Sequence, residues 1–155
     1  QTIFGVMGAN VPRVRFDLER SMIYAVIDAI DEGLIAAAHD ISNGGLAATA
    51  MEMAVTRPAK FGLELDLDGV VCGDLDLRTD KLLFSESSGF LLEAKAGKEK
   101  RLEELLKSYD LLPAKIGRVT AKRRIRITRK GETVADLDLD LARNAWTRGL
   151  AEAMR

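Results

Sequence analysis

The chain has little cysteine, no excess of charge of either sign and no long apolar run. Its single cysteine, Cys72, excludes an internal disulfide and a thiolate metal site, and so indicates a reducing cytoplasm. The formal net charge of -1 argues against a nucleic-acid or membrane-surface protein, because such proteins are usually strongly basic. No apolar run approaches the roughly 20 residues that cross a bilayer. Residues 1–4 lack the basic charge of a signal peptide.

The length and the apolar content are those of one folded domain. With 155 residues, of which 47% are hydrophobic, the chain can bury a single core, and we expect one domain over residues 1–155. The chain starts at Gln1 rather than at a methionine. Two interpretations of that start stay open: a processed end, or a domain excised from a longer chain.

Hydrophobic periodicity predicts helices and strands that alternate early, and strands that cluster late. The predicted helices span 17–33, 45–56, 98–109 and 141–154. The predicted strands span 34–39, 61–67, 90–94, 114–119, 123–129 and 132–137, and residues 1–7 are also β-compatible. A Lys130-Gly131 turn joins the last two strands. This order favours an α+β fold, a three-layer sandwich of a mixed β-sheet with helices packed on it, over a doubly wound nucleotide fold.

The first predicted helix is amphipathic, because its apolar residues recur at three- and four-residue spacing: Leu18, Met22, Ile23, Val26, Ile27 and Ile30. The last predicted helix carries Ala145, Trp146, Leu150 and Ala153.

The segment from His39 to Leu46, with the sequence HDISNGGL, is the strongest candidate for a functional site. Its glycines, Gly44 and Gly45, let the backbone approach a ligand, and the helix that follows presents unpaired N–H groups and a partial positive charge. Such a turn suits a phosphate or a developing anion. Asp40 could orient a magnesium-bound water or accept a hydrogen bond, and His39 could carry a proton or contact a phosphate.

A purely structural interpretation of the same segment stays open. Ser42 or Asn43 would make a good helix N-cap, worth about 1 kcal/mol, with the two glycines allowing a tight turn. A single histidine beside a buried strand is commonly a hydrogen-bonded structural residue. The segment is not a phosphate loop, since neither GxxxxGK nor GxGxxG occurs in it.

Two other segments are weaker candidates. Residues 84–89 (FSESSG), with Glu86 and Ser87, could bind a polyhydroxylated substrate, but a polar turn is favoured unless this loop lies beside the first segment. The basic run 122–130 has no aromatic residue to stack bases, and Ile125 and Ile127 alternate as in a core-facing strand. We therefore interpret that run as a solvated outer face and predict no nucleic-acid binding.

Together these segments resemble the phosphoribosylformylglycinamidine synthase family. The resemblance is carried by residues 38–47 (AHDISNGGLA), 51–54 (MEMA), 62–67 (GLELDL) and 83–87 (LFSES), and it extends from 11–12 (VP) to 115–119 (KIGRV). Within that family, the chain resembles the last domain of the large subunit, which is also called the synthetase subunit. That domain is related to those of aminoimidazole ribonucleotide synthetase, selenophosphate synthetase, thiamine-monophosphate kinase and a hydrogenase maturation factor. The resemblance implies the fold of the C-terminal domain of aminoimidazole ribonucleotide synthetase.

The resemblance also implies an activity and partners. The enzyme is an ATP-dependent amidoligase of purine biosynthesis, and ATP and Mg2+ are bound mainly by domains absent from this chain, so the isolated domain is expected to be inactive. Implied partners are the N-terminal ATP-binding domains, a glutaminase subunit and a small accessory subunit. No catalytic residue and no metal ligand is expected here. The residues expected to bind substrate or phosphate are His39, Asp40, Ser42, Asn43, Gly44, Gly45, Glu86 and Ser87.

One position departs from the family pattern. The family's substrate-binding Glu-Ser-Gln belongs to an earlier, internally repeated copy of the domain, and it matches Glu86-Ser87-Ser88 by position. Serine at position 88 lacks the donor and the acceptor of the glutamine amide. This copy is therefore expected either to bind substrate or to face the family's second, non-catalytic nucleotide site. A free-standing phosphate-binding or interaction module is the alternative function.

Overall fold

The computed structural model describes residues 14–56, 61–72 and 77–154. The β-compatible stretch 1–7 lies outside the described residues. The helices are α1 (Phe16–Asp31), α2 (Gly45–Val55), α3 (Thr79–Phe84), α4 (Glu99–Ser108) and α5 (Leu139–Ala153), with a 3-10 turn at Leu67–Gly69. The strands are β1 (Ile35–Asp40), β2 (Gly62–Asp66), β3 (Phe90–Ala94), β4 (Gly117–Thr120), β5 (Arg124–Arg129) and β6 (Glu132–Asp138).

The described strands form two sheets. β1 pairs with β3 in an antiparallel ribbon, and the other four strands have the order β4-β2-β5-β6. The larger sheet is mixed, because β2 and β5 run parallel while its other pairs are antiparallel. α1 and α4 cover one side of the β1–β3 ribbon, and α2 contacts both that ribbon and β2. The predicted α+β fold with helices on a mixed sheet is confirmed.

Two hydrophobic clusters hold these layers together. The first joins α2, α3 and α5 to the larger sheet through Leu46, Ala50, Ala54, Val55, Leu65, Leu67, Leu83, Ile125, Ile127, Leu139 and Ala142. The second joins α1, β1 and α4 through Ala25, Ala29, Leu34, Ile35, Leu102, Leu105 and Leu106. Residues 36–45 connect the second cluster to the first along the chain, so the glycine turn lies between the two clusters.

The helix predicted at 17–33 forms, but only part of its apolar face meets the core: Leu18, Met22 and Val26 are half-buried. Ala25 and Ala29 are fully buried, whereas Ile23, Ile27 and Ile30 are 49%, 44% and 55% exposed. Periodicity identifies an apolar face but does not say which face meets the core. Here the alanine face does, because small side chains let α1 approach its neighbours closely.

The last helix is buried at its start. Leu139 and Ala142 are buried, whereas Trp146 is 46% exposed and Ala145 is also exposed. Leu150 and Ala153 lie outside the described side chains. Among the described side chains of α5, the buried ones therefore belong to its first turn.

Other predictions agree more closely with the structure. Ile125 and Ile127 are only 2% and 5% exposed, as expected of a core-facing strand. Lys130 and Gly131 both have positive φ, as a two-residue hairpin turn requires. The strand expected at 114–119 begins only at Gly117, and the structure has one further short helix, α3, that was not among the predicted helices. In the described part of the chain, no helix combines the length and apolarity needed to cross a membrane.

Candidate functional site

The structure brings the two candidate segments together at the start of α2. β1 and β3 pair so that Asp40 lies opposite Phe90, and the Ile41 N–H donates to the Gly89 carbonyl over 2.8 Å. The Gly44 N–H then donates to Glu86 Oε1 over 3.0 Å, across 42 residues of sequence. The loop 85–89 thus lies beside the first segment, which is the condition under which a joint site was expected.

The two glycines are required where they stand. Gly45 has a φ of +64°, and a Cβ on it would lie 2.7 Å from the Leu83 carbonyl oxygen and 2.8 Å from that of Ser85. Gly44 has a φ of +82°, and its Cβ would lie 2.7 Å from Cβ of Ala48. Both the left-handed backbone and the close approach exclude a side chain. The backbone at the end of α3 can lie against α2 only because position 45 is glycine.

The start of α2 is not capped as the structural interpretation expected. The N-cap residue is Gly44, and no side chain of the turn caps the helix. Ser42 contributes its carbonyl, which accepts the Gly45 N–H over 2.9 Å. The carboxylate of Glu86, from a distant segment, lies instead at the positive end of the helix. The anion position at this turn is therefore held by a carboxylate of the chain itself.

His39 is anchored to the fold. Its Nδ1 lies 2.7 Å from the carbonyl oxygen of Asp40, and its Nε2 lies 3.0 Å from Oε2 of Glu52 on α2. The buried hydroxyl of Thr49 donates to the same Asp40 carbonyl over 3.1 Å. These contacts match a structural, hydrogen-bonded histidine that fixes the end of β1 on α2.

The remaining expected residues border the turn with exposed side chains. The side chain of Asp40 is 62% exposed, and those of Ser42, Asn43 and Ser87 are also exposed. Their polar groups are accessible to a ligand that approaches the turn.

Sequence reasoning missed three residues that build this site. Thr49 and Glu52 anchor the end of β1, and Glu19 of α1 accepts a hydrogen bond from the hydroxyl of Ser88. Glu52 belongs to the MEMA signature, which was a signal for it. Nothing in the sequence pointed to Glu19, because 69 residues separate it from Ser88.

The described groups at the turn are mainly acidic. Asp40, Glu52 and Glu86 contribute carboxylates, and His39 lies beside the first two of them. Among the described residues there is no group of three or more His, Cys, Asp or Glu side chains that could hold a metal ion.

The basic run 122–130 contributes to an outer face of the larger sheet. Arg118 donates to Glu64 over 2.9 Å, and Arg124 donates to Asp136 over 2.6 Å. The hydrogen bond from Arg118 lowers the pKa of the Glu64 carboxyl, and the one to Asp136 raises the pKa of Arg124. The interpretation of the run as the outer side of a core-facing strand is confirmed.

Comparisons with known sequences agree with this geometry. Residues 3–130 match the family described as AIR synthase related protein, C-terminal domain. Phosphoribosylformylglycinamidine synthase subunit PurL of Methanothrix thermoacetophila is 50% identical over 153 residues, which are 99% of this chain and 19% of that protein. The subunit of the same name from Deinococcus radiodurans is 36% identical over 129 residues, 83% of this chain and 17% of that protein. The chain spans about a fifth of the length of these curated relatives.

Solved structures show the same fold. Thermotoga maritima PurL complexed with FGAR superposes with a TM-score of 0.79 at 20% identity, over 92% of this chain and 23% of that one. The protein complexed with ATP gives 0.74 at 22% identity, over 82% and 22%. The structure of PurLQS from the same organism gives 0.76 at 20% identity, over 86% and 23%.

Proposed function

This chain belongs to the AIR synthase related protein, C-terminal domain family, and we propose that it is one domain of a phosphoribosylformylglycinamidine synthase. The support is its 50% identity, over 99% of its length, to a synthetase subunit of that name. The domain spans residues 1–155 and works within a longer subunit. In the proposed reaction ATP activates the formamide oxygen of formylglycinamide ribonucleotide, and glutamine-derived ammonia displaces the phosphate. The products are the amidine, ADP and phosphate.

In this proposal, ATP and Mg2+ are bound mainly by other domains of the subunit. A related Thermotoga maritima protein has been solved complexed with ATP, which supports a nucleotide site in the whole enzyme. The described residues of this chain do not supply a metal cluster of their own. Their role is to bind and to position.

At the site itself, the proposal rests on the hydrogen bond from the Gly44 N–H to the Glu86 carboxylate. This bond joins residues 39–46 and residues 84–89 into one surface. We place substrate against this surface, bordered by His39, Asp40, Ser42, Asn43, Gly44, Gly45, Glu86 and Ser87. Carboxylates such as Asp40 accept hydrogen bonds from hydroxyl groups and repel a phosphate. The turn therefore suits the ribose part of a nucleotide better than its phosphate.

The alternative is that the turn serves architecture alone. One observation favours it: the Gly44 N–H already donates a hydrogen bond to Glu86 and is therefore not available to a ligand. On this alternative the chain is a non-catalytic interaction module of the same family. The two proposals differ in whether Asp40 affects turnover.

The proposal also includes partners and a location. A glutaminase subunit is expected to supply ammonia, and a small accessory subunit is expected as a further partner, in line with the solved structure of PurLQS from Thermotoga maritima. We expect a cytoplasmic location, because the single cysteine suits a reducing compartment.

A chimera tests the proposed function. The matching fifth of the Methanothrix thermoacetophila subunit is replaced by this chain, and amidine formation is measured with ATP, formylglycinamide ribonucleotide and ammonium, so that no glutaminase is needed. We expect activity close to that of the parental subunit. A folded chimera that binds ATP but forms no amidine would contradict the proposal.

A further inference from the structure

α1 has a second apolar face on the side opposite its core contact. Ala25 and Ala29 are buried against α4 and β1, and large apolar side chains lie on the other side. Four of these side chains are well exposed: Phe16 (80%), Ile23 (49%), Ile27 (44%) and Ile30 (55%). We refer to these four residues as the α1 outer face.

The α1 outer face has the spacing of a helix–helix seam. Together with Arg20, its residues recur at alternating steps of four and three, which align along one side of a helix. Arg20 interrupts the apolar side chains of this row, and its guanidinium lies over the ring of Tyr24, 5.6 Å from the ring centroid. A row in which four of five exposed side chains are apolar marks an interaction surface rather than a solvated face.

We infer that the α1 outer face docks onto an apolar surface of another domain of the same synthetase polypeptide; this inference rests on the proposed function. In the Methanothrix thermoacetophila relative the matched region is only 19% of the protein, so about four fifths of that polypeptide lies outside it. A tethered domain binds at a high effective concentration, so a narrow seam is sufficient.

A second copy of this chain fits the seam less well. α1 has 16 residues, about two heptads, whereas coiled coils that associate through such a seam need three or four. Stable interfaces between separate proteins bury about 1,200 Å² or more, which is more than one short helix face supplies.

The α1 outer face is also linked to the candidate site. Glu19, which lies between Phe16 and Ile23 on α1, accepts a hydrogen bond from the hydroxyl of Ser88. Ser88 lies two residues after Glu86, whose carboxylate holds the Gly44 N–H. A domain seated on the first turns of α1 therefore lies next to the loop 85–89, where it can complete the other half of the site.

Thiol labelling tests the docking. Ile27→Cys is introduced into the chain alone and into the full-length chimera, and alkylation at each cysteine is followed by peptide mass, with native Cys72 present in both. Leu141→Cys on α5 is the matched control, since Leu141 is an exposed leucine of another helix, 70% exposed. We expect the thiol at position 27 to react at least about ten-fold more slowly in the chimera, because alkylation needs solvent access. The control should react equally fast in both.

Each other outcome has a defined meaning. Equal labelling of position 27 in the chain and the chimera would overturn the docking, even if the chimera is active. Slow labelling in the chain alone would also overturn it, because the chain itself or a second copy would then cover the face; sedimentation distinguishes these. Slow labelling in an inactive chimera would support the docking and count against the proposed function.

Discussion

Gly45 is the residue on which the geometry of the candidate site depends most. We expect Gly45→Ala to destabilise the chain by about 2–4 kcal/mol, since a left-handed backbone strains any side chain and the new Cβ collides with main chain. Gly131→Ala is the matched control, because its φ is +77° but nothing lies within 4 Å of a Cβ there. It should cost only about 1 kcal/mol. Urea unfolding measures both, and equal losses would show that the close contact at Gly45 does not matter.

A substitution of Asp40 distinguishes a substrate-binding role of the turn from a purely architectural one. In the active chimera we expect Asp40→Asn to lower turnover or raise KM by about ten-fold, the loss of a hydrogen bond to a charged group. Its exposed side chain makes little contribution to packing, so the unfolding midpoint should not change. Asp110→Asn, in the exposed turn after α4, serves as the control. Unchanged kinetics for Asp40→Asn would favour the architectural alternative.

At the scale of helices and strands, hydrophobic periodicity was sufficient to predict the position of most elements. The helix at Glu99–Ser108 and its inward leucines, Leu102, Leu105 and Leu106, follow from spacing alone. The core side of α1 did not follow, because the choice between its alanine face and its isoleucine face depends on the neighbouring elements.

The candidate site shows the same division. The glycine turn was visible in the sequence, since Gly44 and Gly45 are local signals. Its contact with Glu86 was not visible, because it depends on the register of β1 with β3. The open alternative of a local N-cap by Ser42 or Asn43 does not form, and the carboxylate of a distant residue, Glu86, lies at the start of α2.

The outer face of the larger sheet gives a pH-dependent prediction. The pKa of Glu64 is lowered from its ordinary value of 4.5, chiefly by the hydrogen bond from Arg118. A lowered folded-state pKa stabilises the fold above pH 4.5, and this contribution is lost as the pH falls below that value. Glu64→Gln should therefore be less stable than the wild type at pH 7, and this difference should shrink as the pH falls below 4.5. Urea unfolding over a series of pH values checks this, and a difference that stays constant on acidification would contradict it.

At the scale of the whole molecule, the two hydrophobic clusters should unfold together. α2 contacts both the β1–β3 ribbon and the larger sheet, which couples the clusters. We expect Ile125→Ala in the first cluster and Leu105→Ala in the second each to cost about 2–5 kcal/mol. Both substitutions should shift one common transition, followed by circular dichroism and by Trp146 fluorescence. Two separate transitions would show that the clusters are independent.

The pairing of β1 with β3 has a consequence during synthesis. Gly44 leaves the ribosome 42 residues before Glu86, an interval of about 2–8 s at ordinary rates of translation. Throughout that interval the nascent β1, with its three consecutive alanines at 36–38, has no β3 to pair with. The glycine turn can therefore take its final form only after the loop 85–89 has been translated, so translation speed limits how early the site can assemble.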